Sequence, residues 1–114
     1  MKVERKQQID DLREQMRGGK GTVIVRSLTA DAAKPEKLRL MAEITINPGC
    51  SIGYHKHEGE TEIFYFTAGE GVADDNGQLI KVSAGDVLIT GNAGHAVENT
   101  GDIPLVMTAV IVTE

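Results

Sequence analysis

The sequence predicts an all-β domain, a sandwich or barrel of short strands, with one short helix in front of it. Three observations carry this prediction. Runs rich in β-branched residues recur from residue 22 onward, turn signals separate them, and 13 Gly stand against 3 Pro in 114 residues. Only the first segment breaks the pattern. There Ile9, Leu12 and Met16 recur at helical spacing and Gly18-Gly19 ends the run, so residues 3–17 read as a helix and residues 1–21 as helix plus linker. Its apolar stripe is narrow, which places it against the outside of the barrel domain, residues 22–114.

The strands follow in order. Residues 22–28 are rich in β-branched side chains, and residues 30–37 form a polar connector containing Pro35. Residues 38–46 alternate, with Leu40, Ala42, Ile44 and Ile46 on one face and Arg39, Met41, Glu43 and Thr45 on the other. Pro48-Gly49 turns the chain into residues 51–57, and Glu58-Gly59-Glu60 leads to residues 61–67. Asp75-Asn76-Gly77 splits residues 72–82 into a hairpin, the strongest local turn signal present. Shorter strands are expected at 87–90 and 95–99. The final run, 105–112, is apolar at nearly every position, which predicts cover on both faces.

Composition narrows the functional classes. A net charge of −5 argues against a nucleic-acid partner, which would call for a basic patch. One cysteine allows no internal disulfide, which fits a reducing cytoplasm. Met1 leads into Lys2-Val3-Glu4-Arg5 rather than an apolar run, so no secretory signal is expected. Residues 105–112 are far too short to span a bilayer, so no membrane partner is expected either.

All three histidines fall in two strand-like segments. His55 and His57 are two apart and leave an extended strand on the same face, and Glu62 lies on the next strand, where a hairpin returns it beside them. His95 comes from elsewhere in the barrel. Three imidazoles and a carboxylate suit Zn, Mn, Fe, Ni or Cu. Taken alone, His-x-His is as compatible with an ordinary strand surface.

The wider spacing resembles the cupin superfamily. Its first motif is matched by Gly49, His55, His57, Glu62 and Gly69 at every interval. Gly85, His95 and Asn99 match its second motif, although Gly91-Asn92-Ala93-Gly94 replaces a proline-containing turn and is one residue shorter. The resemblance implies a jelly-roll barrel (a double-stranded β-helix) with His55, His57, Glu62 and His95 as inward metal ligands for one divalent transition metal. It also implies pairing through sheet faces, hence a homodimer, which the apolar final strand suits. If Glu62 points inward, alternation sends Phe64 and Phe66 inward too, as dry walls. Val97 and Asn99 then share the face of His95, with Asn99 either supporting the site or closing the turn before Thr100-Gly101.

Other residues carry plainer readings. Cys50 reads as a structural thiol, Gly18 to Thr22 as a flexible stop, and Glu58 and Glu60 as solvated turn residues. Tyr54, Tyr65, Arg26 and Glu43 line a pocket only if their faces turn inward. Glu98 is on the strand face opposite His95. The function implied is a metalloenzyme acting on a small carboxylate or a sugar-derived metabolite, of lyase, isomerase or dioxygenase type, with no catalytic residue identified beyond the ligands. The alternatives are a binding or sensor barrel without turnover and a structural metal site.

Overall fold

The computed structural model describes residues 1–30 and 32–114. Ten strands follow one another: β1 (Asp10–Glu14), β2 (Thr22–Ser27), β3 (Leu38–Ile46), β4 (Ser51–Lys56), β5 (Glu60–Ala68), β6 (Glu70–Asp75), β7 (Gln78–Ser83), β8 (Val87–Gly91), β9 (Gly94–Glu98) and β10 (Leu105–Thr113). They form a six-stranded sheet, β1-β2-β3-β10-β5-β8, and a four-stranded sheet, β4-β9-β6-β7, both antiparallel. This is the jelly-roll barrel expected. Among the described residues no helix is long and apolar enough to cross a membrane.

Alternation builds the core. Ala42, Ile44 and Ile46 of β3, Phe64 and Phe66 of β5, and Leu105, Met107 and Ala109 of β10 meet Ile52, Ala73, Val82 and Val97 from the smaller sheet. Asn76 and Gly77 both have positive φ, 49° and 96°, the backbone that a tight two-residue hairpin requires. Asn99 is fully buried and closes its turn. Its Nδ2 donates to the Ile46 and Ile103 carbonyls, and its Oδ1 accepts from the Gly101 N–H. Cys50 packs partly buried against the core.

Two expectations are corrected. The N-terminal helix is absent: Arg5–Gln7 and Met16–Gly18 are single 3₁₀ turns, and the residues between them include β1, paired with β2. Ile9 and Leu12 are 79% and 65% exposed, so the helical stripe had nothing to bury. A stripe of three apolar residues supplies too little burial to hold an isolated helix, whereas the ladder from Asp10↔Arg26 to Glu14↔Thr22 satisfies the backbone at once. The second correction concerns β10, which is covered on one face only. Leu105, Met107, Ala109 and Ile111 are buried, while Val106 and Val110 are half-buried and Val112 is exposed.

Candidate metal centre

Local backbone irregularity aims the site. His55 pairs directly across from His95, yet β4 slips register between Ile52 and His55. Ile52 and His55 are three apart and both face the interior, which regular alternation forbids, and the bulge at Gly53 and Tyr54 permits it. The bulge does a second thing: the Gly53 carbonyl accepts from His55 Nδ1 at 2.9 Å. His57, just past β4, is buried, and its N–H donates to the Ala93 carbonyl in the loop before β9. Glu62 lies on β5 opposite Thr90 of β8. Thr90 Oγ1 in turn lies 2.9 Å from His95 Nδ1, and Phe64 stacks on the His95 ring at 4.8 Å.

The four side chains meet through their inner atoms. His57 Nε2 and His95 Nε2 are 3.1 Å apart, and His95 Nε2 and His55 Nε2 are 3.2 Å apart. Glu62 Oε1 lies 2.9 Å from His57 Nε2 and 3.0 Å from His95 Nε2. Glu62 and His95 are 4% and 1% exposed, so water screens this inner part of the cluster little, while His55 is half-buried at the cavity. A carbonyl can only accept, so His55 carries its proton on Nδ1, and the Glu60 carboxylate 3.5 Å from His57 Nδ1 favours the same tautomer there. Both Nε2 lone pairs then point inward beside a buried carboxylate. That is an arrangement for a cation. With bonds of about 2.1 Å, adjacent donors stand about 3.0 Å apart around an octahedral ion and about 3.4 Å apart around a tetrahedral one. The four separations given above fall nearer the octahedral value, and all four donors lie within 4.8 Å of one another.

Glu60 is not the solvated turn residue that the sequence suggests. It is buried, takes a two-pronged contact from Arg39 Nη1 at 2.5 and 2.6 Å, and backs onto His57. Burial alone raises its carboxyl pKa, but the Arg39 hydrogen bonds and charge, with His57 behind them, outweigh it and hold the group below the usual range. β3 and β10 slip register where Arg39 has no partner between Leu38 and Leu40, and from this bulge its side chain reaches Glu60. Sequence alternation alone could not reveal this, because it places Arg39 on the outer face.

A cavity of about 170 Å³ opens onto the cluster. His55 and Glu62 contribute its polar floor, Ile52, Phe64 and Ile111 its dry walls, and Arg13, Arg17 and Arg39 its rim. Met16 and Arg17 enter from the N-terminal 3₁₀ turn, a contribution that the helix reading could not supply. The other anticipated liners stay away. Tyr54 and Tyr65 are about half exposed, and Arg26 and Glu43 pair with each other at 3.1 Å on the outer face of the larger sheet. Glu98 also faces outward, to Lys20.

Residues 42–111 match the model of the cupin domain family. The Thermotoga maritima oxalate-binding protein is 48% identical over 98 residues, which cover 85% of this chain and 81% of that protein. The crystal structure of a T. maritima protein described as a predicted oxalate decarboxylase superposes with a TM-score of 0.93 at 43% identity, covering all of both chains. The cupin domain of Schizosaccharomyces pombe Cnp3 shares the fold, with a TM-score of 0.73 at 14% identity over 91% of this chain and 69% of that one.

Proposed function

The chain belongs to the cupin domain family, and from that premise we propose that it is a metal-dependent binding protein for a small carboxylate anion, with oxalate the first to test. In this reading His55, His57, Glu62 and His95 hold one divalent transition ion. The observation that carries it is the inward convergence of three Nε2 atoms and a buried carboxylate at the floor of an arginine-rimmed cavity. When bound, the ion supplies a fixed positive charge that accepts carboxylate oxygens as further ligands. The chain's own residues draw the anion in through the rim arginines and keep water from it with Ile52, Phe64 and Ile111. The descriptions of the T. maritima sequence and structure, oxalate-binding and predicted oxalate decarboxylase, support a carboxylate ligand.

Binding without turnover is the reading the cavity favours. Decarboxylation leaves a carbanion that needs a proton donor at hand. Glu62 is the one carboxyl group lining the cavity among the described residues, and Glu60 behind His57 is kept ionised by Arg39. Isothermal titration of metal-loaded protein is therefore expected to show close to one oxalate per chain. Chelator-stripped protein should bind none, and no formate or carbon dioxide should form on incubation. Oxalate binding that survives complete metal removal refutes this reading, and sustained formate release replaces it with an enzymatic one.

Metal retention should depend on pH in one direction. Burial pushes the His55 pKa below 6.5, the neighbouring imidazoles and Arg17 push the same way, and the Gly53 carbonyl opposes them. Because a metal competes with protons for Nε2, the ion is held where His55 is neutral and released as pH falls. Metal content measured across a pH series should stay full at pH 7 and fall with a midpoint below about 6.5. A midpoint above this value contradicts the role given to His55.

Glu60→Gln tests the support behind His57. The amide keeps the shape but loses the charge that fixes the His57 tautomer, so metal affinity should fall by roughly 10- to 100-fold. A competition titration against a chelator of known affinity reads this directly, and an unchanged affinity removes Glu60 from the site.

A further inference from the structure

We propose that Arg17 makes this site selective for small dianions, a proposal that rests on the carboxylate-binding reading above. Three arginines rim the cavity, and two are already committed. Arg39 is held by Glu60, and Arg13 Nε donates to Asp11 Oδ2 at 2.9 Å. Arg17 makes no ion pair with any carboxylate among the described residues. It lines the same cavity as His55 and is the rim arginine whose charge no carboxylate offsets.

The backbone shows that this placement is built. Arg17 has φ 55° and ψ 30°, a left-handed conformation that costs a residue with a side chain about 1–2 kcal/mol and persists only where the surroundings impose it. Two glycines permit the close packing of this turn. A Cβ on Gly53 would sit 2.1 Å from the Arg17 carbonyl oxygen, and one on Gly19 would sit 2.2 Å from the Ser51 carbonyl oxygen. Both glycines therefore let the 3₁₀ turn seat its backbone directly on β4, at the bulge that orients His55. The strain is local, and it falls where the cavity meets the candidate ligands.

Charge and size then name the ligand class. A divalent ion at the floor, partly offset by Glu62, and a free guanidinium at the mouth together call for two negative charges. A cavity of about 170 Å³ is smaller than ordinary small-molecule pockets and admits only a compact molecule. A short dicarboxylate meets both conditions, with one carboxylate toward the floor and the other in the planar fork of Arg17.

The test compares oxalate with acetate on metal-loaded wild type, Arg17→Lys and Arg17→Gln. Arg17 is exposed, and metal content is measured in all three so that anion affinities are compared at equal loading. Arg17→Gln is expected to weaken oxalate by roughly 10- to 100-fold, as befits loss of charge-assisted hydrogen bonds, and acetate by less than about threefold. Arg17→Lys keeps the charge without the fork and should fall between. Equal losses for oxalate and acetate, or an unchanged oxalate affinity, overturn the role of Arg17 and leave carboxylate binding standing. A wild type that holds metal but binds neither anion overturns both.

Discussion

Replacing both His57 and His95 by alanine is expected to abolish stoichiometric metal, lowering affinity by well over 100-fold. Loss of a single group supporting a ligand already costs 10- to 100-fold, and this change removes two of the four donors themselves. It also empties buried space. His57 and His95 are 3% and 1% exposed, and Phe64 stacks on the His95 ring. Deleting two buried rings leaves a cavity that costs a few kcal/mol, on the order of 3–5 for a large side chain, so the double variant should also melt earlier than metal-free wild type. Glu62→Gln is the companion for the case in which the double variant does not fold. It preserves volume and removes the charge, and it too should lose most of its metal. Elemental analysis of dialysed protein measures the loss in both. A full equivalent of metal in both variants shows that the ion is held elsewhere.

Much of this was legible because side-chain alternation and turn chemistry are local. Asn76-Gly77 marked its hairpin since both residues accept positive φ, and Leu40 to Ile46 showed their inner face by period alone. The four candidate donors were legible from the spacing of two motifs, and the structure brings them together. Long-range compensation was not legible. Glu60 looked like a loop acid because its partner, Arg39, lies on a strand 21 positions away and reaches it from a bulge. The helix expected at the N-terminus failed for a related reason. Ile9, Leu12 and Met16 specify a helical stripe only if something waits to cover it, and what waited was the open edge of β2. One signal was available: Gly53 interrupts an otherwise plain strand, and a glycine there marks a bulge or a close backbone approach. It marks both.

Gly53→Ala should therefore do more than an ordinary surface substitution. The new methyl would meet the Arg17 carbonyl oxygen at 2.1 Å and the Gly19 nitrogen at 2.8 Å. Both are backbone atoms, so no side chain can swing aside. The 3₁₀ turn must lift from β4, taking Met16 and Arg17 out of the cavity wall. Overpacking of this kind costs about 1–3 kcal/mol, which should lower the melting temperature of a domain this size by several degrees. Oxalate affinity should fall by more than about tenfold, while metal affinity changes less, because Glu62 and His95 lie on β5 and β9 and the His57 N–H is anchored to the Ala93 carbonyl. Gly49→Ala provides the contrast. It has positive φ, 81°, with nothing within 4 Å of the added carbon, so it carries backbone strain without displacing the turn. If both alanines lower stability but only Gly53→Ala loses oxalate, the seat of the N-terminal turn on β4 belongs to the binding site. Equal losses of oxalate from the two would reduce the effect to general destabilisation, and retention of oxalate by Gly53→Ala would take the turn out of the site altogether.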